Sequence, residues 1–209
     1  MRYLAAVILV AACQSDVKTP FPAGLEPLED NVVPPTDSPD EVLRTQTVND
    51  PDVDSDVHGR GLVDIDPATL WALSQMPPAM IARCSTDSQS VTLGNDPTYV
   101  FSFVVHYVVN NVLTVQWDDE WRYGIVTGTA EAPTLGMIRH QKTQGSDFIS
   151  LSEGTVEVIA TADPNVSELA FVEHLSAASG SPGDLVAGMK ANYDALVALA
   201  HGLPIPPCP

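Results

Sequence analysis

From Ser85 to Ala177 the chain is dominated by β-type runs, and this alternation constrains the fold more than any other feature. In YVFSFVVHYVV, Tyr99, Phe101, Phe103, Val105, Tyr107 and Val109 are spaced two apart. A strand, whose side chains point to opposite faces in turn, puts all of them on one face. VLTVQW does the same for Leu113, Val115 and Trp117, and EWRYGIV for Trp121, Tyr123 and Ile125. TLGMIRHQKT, DFISLSEGTVEVIAT and SELAFVEHLSA continue the pattern. Short polar links at Asn110-Asn111, Asp118-Asp119-Glu120, Gly145-Ser146 and Asp163-Pro164-Asn165 predict an antiparallel meander.

Helical signals flank the meander. Leu62 to Ile65 predicts a short strand, after which Asp66 stands at an N-cap and Pro67 at the first helical position. Pro77-Pro78 ends that helix, and Ala79 to Arg83 predicts a further turn or two. After the strands, Ser181 caps a long helix, Pro182 opens it, Asp184 occupies its third position and Gly202 stops it. Leu185, Met189, Tyr193, Leu196 and Ala200 recur every three or four residues as one apolar stripe. Such a helix, following a strongly curved sheet, is expected to bury its stripe in the concave face. The fold class is therefore α+β.

The order of strand, two short helices, antiparallel strands and long C-terminal helix resembles the START-like (SRPBCC, helix-grip) superfamily over residues 60–202. VDIDPATLWALSQMPPAMIARC is similar to its opening, and SEGTVEVIATADPNVSELAFVEHLSA to its last hairpin. The resemblance implies a curved sheet wrapped around the C-terminal helix, with an apolar ligand held between them: a sterol, lipid, quinone, plant hormone or polyketide. Some members are cyclases or oxygenase components.

The N-terminus points to export. Arg2 precedes an apolar run, Tyr3 to Val10, too short for the roughly 20 residues a spanning helix needs. Val10-Ala11-Ala12-Cys13 resembles the bacterial lipobox, so residues 1–12 are expected to be a signal peptide and Cys13 the lipidated first residue of the mature chain. Gln14 in place of Asp favours the outer membrane. Several acyl chains anchor a protein stably where one does not. With Cys13 acylated, Cys84 and Cys208 remain as an even pair in an oxidising compartment. A disulfide between them would fasten the 203–209 tail, while two free thiols is the competing reading.

Net charge is −18. Such a surface repels phosphate backbones, which argues against nucleic-acid partners. Residues 13–59 hold eleven acids against Lys18 and Arg44, seven prolines, and Phe21 as their lone aromatic. High charge with little apolar surface predicts a disordered tether. Its DPDVDSD tract has oxygen ligands but neither the mid-loop Gly nor the closing Glu of an EF-hand, which favours a solvated charge run.

Nothing supports a nucleophilic triad, a phosphate loop or a His-Glu-x-x-His phrase. His106, His140 and His174 fall on separate strands, with His106 facing outward by alternation, so no metal or cofactor is expected. Phe101, Phe103, Tyr107, Trp117, Trp121 and Tyr193, with Arg122, are the candidate ligand-binding residues; basic residues are scarce here, and Arg122 or Arg139 would stand at the cavity mouth. The same aromatics at period two also make ordinary core, and only a void between sheet and helix separates the two readings. The leading expectation is a monomeric, membrane-anchored lipoprotein that binds a hydrophobic small molecule or lipid. The alternatives are a cyclase or hydratase using Tyr107, Arg122 or His140, and an envelope interaction module with a filled core.

Overall fold

The computed structural model describes residues 16–36, 38–81, 86–110 and 113–207. Cys13, Cys84 and Cys208, and with them the acylation and disulfide expectations, lie outside the described residues. The elements run β1 (Asp16–Lys18), β2 (Arg44–Val48), β3 (Ser55–Val63), α1 (Pro67–Ser74), α2 (Pro77–Met80), β4 (Ser88–Leu93), β5 (Phe101–Asn110), β6 (Thr114–Thr129), β7 (Ala132–Ser146), β8 (Ile149–Ala160), β9 (Ser167–Ala177) and α3 (Pro182–Ala200). The strands form one antiparallel sheet in the order β2-β3-β9-β8-β7-β6-β5-β4. Strands β4 to β9 make the expected meander, and β3 closes onto the last of them.

The helix ends follow the capping chemistry. Asp66 accepts the Thr69 backbone N–H at 2.9 Å. Ser181 and Asp184 form a reciprocal capping box in front of α3. Leu185, Met189, Tyr193 and Leu196 face the sheet and join Val57, Phe103, Tyr107, Trp121, Ile138, Val156 and Phe171 in the core. The helix grips the concave face, and α1 and α2 cover its flank.

Strand β3 starts seven residues earlier than expected and stops two short of Ile65. Gly59 and Gly61 interrupt its apolar alternation for a packing reason. A Cβ at 59 would meet Met189 Sδ at 2.2 Å, and one at 61 would meet Tyr193 Cε2 at 2.7 Å. The helix occupies the space that side chains would fill. The expected turn at Asp118-Asp119-Glu120 is also corrected, because β6 continues through it, with a shift of register between Asp118 and Asp119. Asp118 and Glu120 are held in place there by cross-strand and same-face partners, His106 and Arg122, each at 2.7 Å. Asp119 faces the interior beside Lys142, its register neighbour.

The expected tether is overturned for the part described. Residues 16–36 lie as a strap across the convex face of the sheet. β1 pairs with the end of β7, Asp16 opposite Ser146. Phe21 sits beneath the Arg122 guanidinium, 3.9 Å from its ring centroid, and Gln141 donates to the Pro20 carbonyl at 2.8 Å. Leu25 fills the space beside Gly124. Asn31 donates from one amide nitrogen to the carbonyls of Gly59 and Phe171, both at 2.9 Å. A few well-placed contacts and backbone hydrogen bonds offset the ordering cost that the low hydrophobicity of the segment seemed to forbid.

Candidate functional site

The sheet and α3 part at one end. Between the ends of β5, β6, β8 and β9 and the first turns of α3 lies a cavity of about 480 Å³. Val109, Val115, Trp117, Phe148, Ile149 and Leu175 give it an apolar wall, and Gly180, Asp184, Leu185 and Gly188 line the helix side. This is within the range of about 300–1,000 Å³ typical of small-molecule sites. No residue competes for the space beside Gly188: a Cβ built there meets nothing within 4 Å.

Deeper in, a chamber of about 30 Å³ shares Asp184, Leu185 and Gly188 with the large cavity. Its remaining walls are Met80, Trp121, His140, Glu173, Met189 and Asn192. Here the apolar interior turns polar. His140 Nε2 lies 3.1 Å from Glu173 Oε1 and 3.0 Å from Oε2, so its N–H is donated to the carboxylate. The imidazole stacks on Trp121 with ring centroids 4.2 Å apart, which fixes its plane. In the neutral imidazole with its proton on Nε2, Nδ1 is an acceptor. Nδ1 and Asn192 Oδ1 are both buried without a hydrogen-bond partner among the described residues. The chamber thus presents two acceptors at the inner end of an apolar cavity.

The candidates chosen from sequence divide. Trp117 lines the cavity and Trp121 the chamber. Phe103 stacks on Trp121 and Tyr107 on Trp117, behind the cavity wall. Phe101 packs edge-on to Tyr123. Tyr193 is core, its hydroxyl donating to the Leu62 carbonyl. Arg122 is on the opposite face, where it donates to Glu120 and to the Pro22 carbonyl at 2.8 Å and lies over Phe21. Tyr99 is there too, at 3.0 Å from the Ala23 carbonyl. The acid–base set of Tyr107, Arg122 and His140 is therefore split between two faces of the sheet. Glu173 and Asn192 were not among the candidates. Glu173 does carry a signal, as the lone ionisable residue in the inward series Leu169, Phe171, Glu173, Leu175. Lys142, also inward, is tied to the carbonyls of Ser146 at 2.8 Å and Ile149 at 2.5 Å. Burial lowers its pKa, against the pull of Asp119.

No family model matches the chain, and no curated protein matches it. Solved structures do. The human StarD13 lipid transfer and protein localization domain aligns over 79% of this chain and 86% of its own, at 9% identity and TM-score 0.52. The fold is START-like. Human STARD10 (80% and 74% covered, 9% identity, TM-score 0.49) and the ZhuI aromatase/cyclase from Streptomyces sp. R1128 (76% and 94%, 10%, 0.47) align more loosely. Within this fold the cavity lies where the sheet and α3 separate, with His140 and Glu173 at its inner end. At these identities the likeness speaks for the fold alone.

Proposed function

We propose that the protein binds a lipid or other hydrophobic small molecule between its sheet and α3, for sequestration or transfer. The observation that carries this is the apolar cavity of about 480 Å³ ending in the polar chamber of His140, Glu173 and Asn192. The body of the ligand replaces water against Trp117, Phe148 and Leu175, at about 25 cal/mol per Å² of apolar surface removed from water. The two unpartnered acceptors favour a ligand whose inner end is a hydroxyl, and the nearby Glu173 carboxylate disfavours one ending in an anion. Lipid transfer by the StarD13 domain is in keeping with this reading.

Export and attachment belong to the same proposal. Cys13 is acylated, the protein stands on the outer membrane as a monomer, and Cys84 pairs with Cys208. The test has two arms. Native mass spectrometry of the purified chain, followed by organic extraction, should recover a ligand, and a hydroxylated lipid panel should exchange with it. Repeatedly empty protein that binds none of the panel would sink the binding reading. Separately, Cys13→Ala should abolish palmitate labelling, and unchanged labelling would sink the anchor.

A second reading, acid–base catalysis, draws on the His140–Glu173 pair, a base held by an orienting carboxylate. Conversion of the extracted ligand on incubation, abolished in His140→Gln, would favour it over simple binding.

A further inference from the structure

On the convex face, away from the cavity, three strands place Asp56, His174 and Glu153 in one row. Asp56 of β3 is registered opposite His174 of β9, and His174 opposite Glu153 of β8. The strap brings Glu29 down onto this row. One ligand atom each of Glu29, Asp56 and His174 lie within 4.8 Å of one another. His174 Nε2 is 3.6 Å from Asp56 Oδ1 and 3.9 Å from Glu29 Oε1, too far for hydrogen bonds. Ligands of a tetrahedral zinc ion at about 2.1 Å stand about 3.4 Å apart, close to this spacing.

The orientation of the imidazole suits a cation. His174 Nδ1 faces Glu153 Oε1 at 3.4 Å, which turns Nε2 toward the two carboxylates. A carboxylate behind a histidine in this way is the usual support of a metal-bound imidazole. Asp56 is 1% exposed and His174 8% exposed, yet both Asp56 oxygens and His174 Nε2 have no hydrogen-bond partner among the described residues. Leaving such groups bare in the interior is costly. His58 completes the surround. Its Nδ1 accepts the Val32 N–H at 3.0 Å, which puts the Nε2 proton on Glu29 at 2.6 Å, while Asp56 Oδ1 lies 3.1 Å from the same nitrogen without a hydrogen bond. It therefore holds Glu29 in place and is not itself a ligand.

We propose that Glu29, Asp56 and His174 form a binding site for a divalent transition-metal ion of the zinc class. Two carboxylates neutralise its charge, and the imidazole selects against magnesium and calcium, which take oxygen ligands. The half-exposed Glu29 side leaves a fourth position open to water. The ion staples the strap to β3 and β9.

The test uses the untagged full chain, stripped with chelator, and calorimetric titration with Zn²⁺. Wild type should bind one ion per chain, and the strap should become resistant to limited proteolysis when it does. Glu29→Gln, on the half-exposed strap, and His174→Gln should each weaken binding at least 100-fold. Glu153→Gln should weaken it about 10–100-fold, the usual effect of losing a ligand's supporting carboxylate. His106→Gln, distant from the site, should bind as wild type. Absence of stoichiometric binding by wild type, or binding by Glu29→Gln and His174→Gln at unchanged affinity, would overturn the assignment. Circular dichroism of each variant separates lost ligands from lost folding.

Discussion

Gly188 allows the cavity to be filled without cutting into the core. It lies well inside α3, half-buried, with open space where a side chain would go. A glycine there costs about 1 kcal/mol relative to a good helix former. Gly188→Leu removes that cost and buries part of an apolar side chain in the cavity. Full burial of Leu is worth about 1.5–3 kcal/mol, so a partly covered one adds about 1 kcal/mol. The sum is about 2 kcal/mol, and at about 2–4 °C per kcal/mol for a chain of this size the ligand-free protein should melt about 4–8 °C higher. The same leucine would project where cavity and chamber meet, cutting the apolar wall off from His140 and Glu173. Binding of an environment-sensitive apolar dye should fall at least tenfold, whereas Gly188→Ala should gain about 1 kcal/mol and keep most of its binding. Stripped protein would be compared by thermal denaturation and dye titration. A lower melting temperature for the leucine variant would show that the space is not there. A higher one with undiminished binding would show that the ligand sits elsewhere.

Glu173→Leu strands the buried His140 N–H and should cost about 1–3 kcal/mol in urea denaturation, while Glu173→Gln, whose amide oxygen still accepts, should cost clearly less. Equal losses would mean that the pair is not holding the imidazole. Phe21→Ala removes the ring beneath Arg122 and should destabilise by about 1–2 kcal/mol, exposing the strap to protease before the sheet unfolds. Uniform digestion would argue against a separately releasable strap. Burial raises the Glu157 pKa above the usual carboxylate range, with Arg60 opposing and Glu168 and Asp30 reinforcing. A raised acid binds its proton more tightly when folded, so its contribution is favourable below the unfolded pKa and is lost as pH rises through the folded one. Glu157→Gln should therefore flatten the fall in stability just above the usual carboxylate pKa, and an unchanged pH profile of the melting temperature would refute this.

The helix ends and the inner face of β5 could be read directly from the sequence, because caps and period two depend on local chemistry alone. Ser181, Pro182 and Asp184 do what their spacing implies. The strap could not be read in this way. Its contacts are hydrogen bonds such as those of Asn31 to Gly59 and Phe171, made to backbone more than a hundred residues away in one case and invisible to composition. Arg122 was misplaced for a related reason. Its neighbour Trp121 points inward, so alternation sends the arginine out, but scarcity of basic residues drew attention to it all the same. Whether the aromatics line a void was open from sequence, because cavity volume depends on the angle at which α3 leaves the sheet.

The pairing of β1 sets where any anchor would stand. Asp16 opposes Ser146 and Val17 opposes Gly145, which on its other side opposes Trp117. Phe148 and Ile149 follow directly, so the first described residues of the chain lie at the rim of the cavity. Three residues span at most about 10 Å, so on the acylation proposed above the acyl chains would enter the bilayer beside that rim. The protein would rest lip-down, like a ladle on a liquid surface, and its cargo would pass between lipid and protein with little exposure to water. About twenty flexible residues inserted after Ser15 would lift the rim by roughly 25 Å. Uptake from vesicles should then slow while affinity in detergent stays the same, and an unchanged uptake rate would show that the ladle fills from solution instead.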